Sequence, residues 1–186
     1  MDCFIKITPQ KNQENKTTIH KKEFKIFQEH LKSNTNVIIC GNVGSGKTHF
    51  LNCILDEQNS IEITHENISN KSTFLDCVRG SSKHLFIDDY DPTYYPYKNI
   101  FQSICDGERY TNGSHVISTN QFYLGVPNFE VIYLPVPTIN KLLSIKSGPG
   151  GKKAAEKSKG NIRNFLSYIN EESDEKDEFK TPKEYI

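Results

Sequence analysis

The chain has 186 residues, of which 35% are apolar and 25% charged, and its 23 basic residues balance 23 acidic ones. This length allows one domain with its own core and a small appendage, and the composition is that of a globular protein rather than a disordered one. No apolar run approaches the ~20 residues that span a bilayer, and the N-terminus lacks the features of a signal peptide. These observations exclude membrane, secreted and fibrous proteins and predict a cytoplasmic or nuclear location.

The cysteines and histidines show no spacing typical of a metal site. The five cysteines are Cys3, Cys40, Cys53, Cys77 and Cys105. An odd number without paired spacing is typical of reduced, mostly buried thiols in an intracellular protein. We therefore expect reduced cysteines and no zinc site.

The predicted elements alternate between helices and strands. After a polar N-terminal segment at 1–18, apolar residues at helical spacing predict an amphipathic helix at 19–32, and the unbroken apolar run 37–40 predicts a strand buried on both faces. Further helices are predicted at about 47–56, 72–79, 97–108 and 139–146, and further strands at 60–64, 85–87, 115–118 and 129–134. This alternation predicts an α/β fold in which helices sandwich a parallel sheet.

The C-terminal third is polar and unevenly charged. A glycine-rich joint at 147–151 precedes two short helical stretches that flank Gly160, and the acidic tail 171–186 is predicted to be disordered. Residues 141–163 contain seven basic residues and one acid, whereas the tail contains seven acids and three lysines. The basic stretch is predicted to contact nucleic-acid phosphates or, alternatively, to be a solvated helical surface.

A glycine-rich turn after the predicted strand 37–40 fits the pattern G-x-x-x-x-G-K-[ST]. Its residues, called the phosphate loop below, are Gly41, Asn42, Val43, Gly44, Ser45, Gly46, Lys47 and Thr48. Glycines let a backbone approach a polyphosphate, and successive N–H groups form an anion-binding nest at the start of the next helix. In such loops the lysine reaches the β- and γ-phosphates and the threonine hydroxyl binds Mg²⁺. We therefore predict a site for ATP and Mg²⁺ at Lys47 and Thr48.

Polar residues also follow two predicted strands. Asp88 and Asp89 follow the strand 85–87, and Asn120 lies just after the strand 115–118. Parallel strands end at the sheet edge where ligands bind. Asp88 is therefore predicted to bind Mg²⁺, Asp89 to polarise the attacking water, and Asn120 to hydrogen-bond the γ-phosphate or that water. The alternative at each place is an ordinary turn.

The ordered set of motifs resembles the AAA+ ATPases, in the neighbourhood of the initiator DnaA, its relative Hda, the helicase loader DnaC and the clamp loaders. The segment 41–51, which includes His49, is very similar to the nucleotide-binding loop of the DnaA group. Segment 87–89 is similar to that group's Walker B motif, and 117–120 lies at its sensor 1 position. Segment 157–166 resembles its sensor 2 helix, and the resemblance covers roughly residues 20–170.

The resemblance implies an AAA+ core at 19–146 and a reduced C-terminal helical lid at 147–170. It gives Arg163 the sensor 2 role, in which a lid arginine touches the γ-phosphate. One departure concerns the arginine finger, which the family places just after sensor 1, because residues 121–130 contain neither arginine nor lysine. Arg109, or with less support Arg79, is the candidate replacement, and hydrolysis without a finger is expected to be slow.

The resemblance implies an ATP-hydrolysing nucleotide switch in DNA replication, with nucleic acid or a replication protein as partner and a homo- or hetero-oligomeric state. One alternative is a motor, either a viral superfamily 3-like helicase or a DNA-packaging ATPase, and the lysine- and asparagine-rich composition favours a viral source. A second alternative is a non-catalytic ATP-binding adaptor, which the missing finger favours. Tyr94, Tyr95 and Tyr97 are predicted either to stack on bases or to dock a partner protein.

Overall fold

The computed structural model describes residues 18–68, 71–146 and 150–177, with 71–73 and 171–177 described as backbone only. Nearly all of the predicted N-terminal segment 1–18, residues 147–149 of the glycine joint and residues 178–186 of the tail lie outside these ranges. The chain divides into two compact units. The larger comprises Met1–Asn42 and Lys47–Leu134, and the smaller comprises Val43–Gly46 and Pro135–Ile186.

The larger unit is built around a parallel sheet. Its elements in chain order are α1 (Lys21–Lys32), β1 (Val37–Cys40), α2 (Lys47–Leu51), β2 (Ser60–Glu62), α3 (Lys71–Val78), β3 (His84–Ile87), α4 (Tyr95–Cys105), β4 (His115–Thr119) and β5 (Glu130–Tyr133). In the described part of the chain, the strands form one five-stranded sheet in the order β2-β3-β4-β1-β5, with every neighbouring pair parallel. The carboxyl ends of all strands therefore meet at one edge, and the predicted α/β fold is confirmed.

Alternate residues of β1, an inner strand, pack on opposite faces of the sheet. Val37 and Ile39 belong to an apolar cluster that contains Phe27 of α1, whereas Ile38 belongs to a second cluster that contains Ile100 of α4. All four side chains of β1 are buried, which explains why this strand is an unbroken apolar run rather than an alternating one. The sheet is therefore covered by helices on both faces, as predicted.

The smaller unit is helical. It contains α5 (Ile139–Ile145), α6 (Gly151–Ser158) and α7 (Ile162–Asp177). Their apolar cluster contains Leu142, Ala154, Ala155, Phe165 and Ile169. Gly160 lies between α6 and α7 with φ +83°, and a Cβ there would overlap Val136 and lie 2.9 Å from the carbonyl oxygen of Pro137. Only glycine fits this turn without displacing its neighbours.

Three boundaries differ from the predictions. The helix α5, predicted to close the core, packs on α6 of the smaller unit, so the division falls at Pro135 rather than at residue 147. The helix α7 continues to Asp177, into the segment predicted to be a disordered tail, because its acidic and lysine residues have adequate helix propensity. The helix α2 ends at Leu51 because the chain tightens into a turn, where the Cys53 N–H bonds the carbonyl oxygen of Phe50 at 3.4 Å.

The cysteines only partly follow the prediction of reduced thiols. Cys40 is a buried thiol, and Cys53 and Cys105 are half-buried thiols, and none of these three forms a disulfide. Cys77 is disulfide-bonded, which corrects the prediction, since sequence spacing does not reveal which thiols meet in space. None of the helices in the described part of the chain combines the length and apolar character that a membrane span needs.

Candidate nucleotide-binding site

The phosphate loop begins at the carboxyl end of β1, where the sheet holds it. The N–H of Gly41 donates to the carbonyl oxygen of Thr119 at 3.2 Å, which ties the loop to the end of β4. The Lys47 side chain is 6% exposed, and its Nζ donates to the carbonyl oxygens of Gly41 at 3.0 Å and Asn42 at 3.2 Å. It also donates to Oδ1 of Asn120 at 2.6 Å. The structure thus places the side chains of Lys47 and Asn120 in direct contact. Both residues were predicted to contact phosphate.

The middle of the phosphate loop belongs to the smaller unit and lies against the start of α7. The N–H of Ile162 donates to the carbonyl oxygen of Gly44 at 2.8 Å, and Nδ2 of Asn161 donates to that of Val43 at 3.3 Å. Gly44 and Gly46 have φ of +77° and +94°, which glycine adopts readily. A Cβ on Gly44 would overlap the side-chain amide of Asn161. A contact within the protein therefore leaves no room for a side chain at this position.

Asn161 is a residue that the sequence prediction did not single out. Its Oδ1 accepts a hydrogen bond from the N–H of Asn164 at 3.1 Å, which caps the first turn of α7. The same side chain holds the phosphate loop through Val43. The available signal was an asparagine directly before a predicted helix, which is typical of an N-cap.

The remaining predicted loop residues differ in exposure. Ser45 is 3% exposed, whereas Asn42, Thr48 and His49 are exposed. Thr48 directly follows Lys47 on α2. Its contact with Mg²⁺ stays a prediction. Nε2 of His49 lies 3.7 Å from Sγ of Cys53, one turn further along the chain. A contact of His49 with nucleotide therefore stays a prediction.

The acidic end of β3 is bonded to β4. The hydroxyl of Ser118 donates to Oδ1 of Asp88 and accepts from the N–H of Asp89 at 2.9 Å. The N–H of Tyr90 donates to the carbonyl oxygen of Ser118 at 2.7 Å. Asp88 is half-buried and Asp89 is exposed, with a left-handed φ of +51°. The two predicted aspartates therefore lie at the same sheet edge as the phosphate loop.

A third carboxylate lies at this edge. Glu62 is the last residue of β2 and pairs with Phe86 of β3, so it lies beside the strand that leads to Asp88. Burial, and then the negative charge of Asp88, raise the pKa of Glu62 above its ordinary value. The sequence prediction missed Glu62, because this residue lies in the middle of the predicted strand 60–64 and only the observed strand ends there.

The oxygen donors at this edge suit Mg²⁺. Thr48 offers a hydroxyl and Asp88 a carboxylate, and Mg²⁺ in nucleotide sites takes one or two protein oxygens together with phosphate oxygens and water. Among residues 18–68, 71–146 and 150–177, no three His, Cys, Asp or Glu side chains form a cluster that could hold a metal. Thr48 and Asp88 thus fit a cation that binds together with phosphates.

The predicted sensor 2 residue lies on the first turn of α7. Arg163 is exposed and directly follows Ile162, whose N–H bonds the carbonyl oxygen of Gly44. The smaller unit therefore presents Arg163 next to a residue that contacts the phosphate loop. Contact of the guanidinium with a γ-phosphate stays a prediction.

The two candidate finger residues have partners within the chain. Nη2 of Arg109 donates to the carbonyl oxygens of Asn34 at 3.2 Å and Gly113 at 2.8 Å, just before β1 and β4. These contacts lie at the amino edge of the sheet, opposite the phosphate loop. Arg79 forms an exposed ion pair with Glu108 at 3.8 Å, an interaction that contributes little to stability. Arg109 thus bridges two loops of its own unit.

The tyrosines after β3 do not form one exposed surface. Tyr97 is 4% exposed and its hydroxyl donates to the carbonyl oxygen of Ile63 at 3.2 Å. The Tyr94 ring packs on His65, with centroids 4.2 Å apart, whereas Tyr95 is 71% exposed. The prediction that all three tyrosines stack on bases or dock a partner is therefore wrong for Tyr97, because α4 begins at Tyr95 and turns Tyr97 into the core.

The predicted basic stretch is a surface of the smaller unit. Lys152, Lys153, Lys157 and Lys159 are all exposed on or just after α6. The ammonium of Lys157 lies 4.0 Å from the centroid of the Tyr168 ring, and Nζ of Lys146 donates to Oδ1 of Asn170 at 2.9 Å. Lys157 and Lys146 therefore contact side chains of α7. Lys152, Lys153 and Lys159 face solvent.

No family model matches the chain, and no curated protein matches it by sequence. Among solved structures, it is similar to domain III of the replication initiation protein DnaA from Thermotoga maritima, with a TM-score of 0.59 and 19% identity over 89% of this chain and 88% of that one. A single-substitution variant of Thermotoga maritima RuvB has a TM-score of 0.55 and 15% identity over 84% of this chain and 60% of RuvB. AMPPCP-bound DnaA from Aquifex aeolicus has a TM-score of 0.50 and 17% identity over 79% of this chain and 57% of that DnaA.

The chain covers nearly all of the isolated DnaA domain but less than two thirds of the RuvB and Aquifex aeolicus DnaA chains. At such identities the likeness establishes the fold. The predicted resemblance to AAA+ ATPases of the DnaA neighbourhood is confirmed at that level. With its parallel sheet and a phosphate loop after the inner strand β1, the chain has the P-loop AAA+ ATPase fold seen in DnaA and RuvB.

Proposed function

We propose that this chain binds ATP with Mg²⁺, hydrolyses it slowly, and uses it as a conformational switch in DNA replication. The observation that carries the proposal is the 2.6 Å bond between Nζ of Lys47 and Oδ1 of Asn120. It joins the lysine of the phosphate loop to the end of β4, and a γ-phosphate held there would be within reach of both. The structural likeness to a replication initiation protein supports the biological setting.

The chain's own residues have distinct roles in this proposal. Backbone N–H groups of the phosphate loop cradle the phosphates, and Lys47 exchanges its carbonyl partners for β- and γ-phosphate oxygens. A bound Mg²⁺ would neutralise phosphate charge, and Thr48 and Asp88 are the residues that would hold it. Asp89 accepts a proton from the attacking water and orients it.

Two further residues report the state of the γ-phosphate. Asn120 hydrogen-bonds this phosphate or the attacking water from the end of β4. Arg163 contacts the γ-phosphate from the start of α7, so the position of α7 would depend on which nucleotide is bound. A nucleic acid or a replication protein is the proposed partner that responds to this change, and exposed lysines of α6 offer a surface for phosphate contacts.

Slow turnover is part of the proposal. Residues 121–130 contain no arginine or lysine, and Arg109 already bonds two carbonyl groups of its own unit. An arginine finger contributes ~10³–10⁵ to the rate in related phosphoryl-transfer enzymes. Full activity would therefore require an arginine from a second copy or from another protein.

Steady-state ATP hydrolysis with Mg²⁺, with and without single- or double-stranded DNA, tests the proposal. We expect slow turnover that Lys47→Ala abolishes. Lys83→Ala is the matched control, because Nζ of Lys83 also bonds a backbone carbonyl oxygen, that of Glu57 at 2.6 Å, but lies outside the site. Absence of ATP binding by the intact chain would refute the proposal, while turnover that survives Lys47→Ala would place hydrolysis elsewhere.

The second candidate is a non-catalytic ATP-binding adaptor, favoured by the internal bonding of Arg109. This role predicts tight ATP binding and no turnover under any condition, including the presence of DNA. Asp89→Ala separates the two candidates, because it would lower turnover in a slow ATPase but change nothing measurable in an adaptor. Assembly into rings with strong stimulation by DNA would instead favour a motor.

A further inference from the structure

We infer that Ser118 is a positioning residue that holds Asp88 and Asp89 in the arrangement needed to receive nucleotide-bound Mg²⁺. The inference rests on the proposed function and adds to it a residue that acts through the acidic strand end rather than by contact with nucleotide. It is carried by hydrogen bonds that lie entirely within the larger unit.

Ser118 bonds three successive residues of the neighbouring segment. Its hydroxyl donates to Oδ1 of Asp88 and accepts from the N–H of Asp89 at 2.9 Å. Its carbonyl oxygen accepts from the N–H of Tyr90 at 2.7 Å. Ser118 has 0% exposure, so its own hydroxyl is shielded from bulk water, whereas Asp88 is half-buried and Asp89 is exposed. One buried residue thus determines both the direction of the Asp88 carboxylate and the path of the backbone after it.

Strand pairing explains why this serine reaches that carboxylate. Ile87 of β3 pairs with Ile117 of β4, so the next residues on each strand, Asp88 and Ser118, lie side by side at the carboxyl edge. Neighbouring strands lie ~4.7–4.9 Å apart, a distance that two short polar side chains can bridge. A residue one position away on β4 would face the other side of the sheet.

The chemistry of serine suits this position. A hydroxyl donates one hydrogen bond while it accepts others, so it can serve the carboxylate and the backbone N–H at the same time. Both bonds to this carboxylate, from the Ser118 hydroxyl and from the N–H of Asp89, engage Oδ1 of Asp88, so Oδ2 would be the oxygen offered to a cation. Asp89 has a left-handed φ of +51°, a conformation that non-glycine residues keep only when surrounding contacts enforce it. The bond to the Ser118 hydroxyl supports this conformation together with a 3.1 Å bond from the same N–H of Asp89 to Oδ1 of Asp88.

Nucleotide affinity with and without Mg²⁺ tests the inference without relying on turnover. The probe is a fluorescent ATP analogue, measured for the intact chain, Ser118→Ala and Ser114→Ala. Ser114 is the matched control because it is also 0% exposed and, among the described residues, its hydroxyl has no hydrogen-bond partner. We expect Ser118→Ala to keep the Mg²⁺-free affinity within about twofold and to lose about tenfold of the affinity that Mg²⁺ adds, since bonds to charged groups have this magnitude. Ser114→Ala should keep both affinities.

Two further variants separate positioning from a general structural role. Ser118→Thr retains the hydroxyl and should recover most of the Mg²⁺ effect. Asp88→Ala should lose the gain in affinity that Mg²⁺ causes. The double variant with Ser118→Ala should show no further loss of affinity, because the two residues act as one unit. If Ser118→Ala does not fold, Ser118→Cys, a similar volume with a weak donor, is measured against the same criteria.

Hydrogen exchange gives an independent readout. The amide of Asp89 should exchange faster in Ser118→Ala and at the unchanged rate in Ser114→Ala. Full Mg²⁺-dependent affinity in Ser118→Ala, or an equal loss with and without Mg²⁺, would overturn the inference. If the unaltered chain binds no nucleotide, or binds it equally with and without Mg²⁺, the proposed function fails and the inference fails with it.

Discussion

The two parts of the phosphate loop are held in different ways. Gly41 and Lys47 belong to the larger unit and are bonded to the end of β4, at Thr119 and Asn120. The middle, Val43–Gly46, belongs to the smaller unit and is bonded to the start of α7. A loop that looks continuous in sequence therefore has one sheet-held part and one helix-held part.

Under the proposed function, this difference separates phosphate binding from regulation. Strand register sets the sheet-held part, so its geometry is prepared before any ligand binds. The helix-held part depends on two hydrogen bonds and on a glycine that leaves room for Asn161. A ligand that changes this part of the loop must also change the energy of its contacts with α7, and the coupling is reciprocal. The following predictions test this contrast, from the largest expected effect to the smallest.

Lys47→Ala should give the largest effect, because it removes the charge that links the sheet-held part to Asn120. We expect loss of ATP affinity by at least about 100-fold, the scale of two charge-assisted hydrogen bonds. Circular dichroism should show a retained fold. A small loss of affinity, measured by equilibrium binding, would mean that the sheet-held part does not carry phosphate recognition.

Acid should destabilise the larger unit through His115, the first residue of β4, which lies at the edge of the sheet opposite the phosphate loop. Nε2 of His115 accepts from the N–H of Tyr110 at 3.1 Å, and its Nδ1 lies 2.9 Å from Oδ1 of Asn36. Burial, and then the positive charge of Arg109, lower the pKa of His115 to about 4, against ~6.5 in an unfolded chain. Between pH about 4 and pH ~6.5, only the unfolded state binds this proton. The free energy of unfolding therefore has its full value above pH ~6.5 and decreases as the pH falls below it.

The free energy of unfolding should decrease by about 1.4 kcal/mol per pH unit, or by about 3 kcal/mol in total at pH 4. Urea denaturation at several pH values measures it. His115→Gln should flatten this part of the pH dependence, whereas His30→Gln on α1 should leave it unchanged. An unchanged slope in His115→Gln would show that this histidine is not the group responsible.

Gly44→Ala should break the helix-held part. A Cβ at Gly44 would displace the Asn161 amide that bonds Val43, and φ is +77°. Gly80→Ala is the matched control, with φ +78° and nothing within 4 Å of the added Cβ, so it carries the backbone strain without the clash. We expect a loss of ATP affinity of about tenfold for Gly44→Ala, the scale of one lost contact, and none for Gly80→Ala.

The double variant Gly44→Ala with Asn161→Ala tests the cause of that loss. Removing the amide should relieve the overlap, so part of the affinity lost in the single variant should return. Equal losses of affinity in the single and double variants would assign the effect to backbone strain alone. Asn161 would then not contribute to the difference between the sheet-held and helix-held parts of the loop.

Arg163→Ala should have the smallest effect. The side chain is exposed on the first turn of α7, so its removal should change the free energy of unfolding by no more than about 0.5 kcal/mol. Loss of one γ-phosphate contact should weaken ATP binding about threefold to tenfold and leave ADP binding unchanged. Lys153→Ala on α6 is the control, and equal losses for ATP and ADP would contradict a sensor role.

The sequence by itself determined the order of the elements and the identity of the phosphate loop. Every predicted strand was observed within about two residues of its expected bounds, and the strand 37–40 was observed without change. These features are local, because an apolar run, a helical period or a glycine in a tight turn depends only on nearby residues. The predicted α/β fold with a parallel sheet followed from that order and was confirmed, whereas its AAA+ type was implied by the resemblance of the motifs.

Only the tertiary structure decided which residues support the site. Ser118 reaches Asp88 because β3 lies beside β4, Glu62 joins that edge because β2 lies beside β3, and Asn161 meets Val43 across more than a hundred residues. The burial of Tyr97 and the boundary at Pro135 were also decided there. The physical reason is that strand order and helix packing join residues that are distant in the chain, and no local period or motif specifies such pairs.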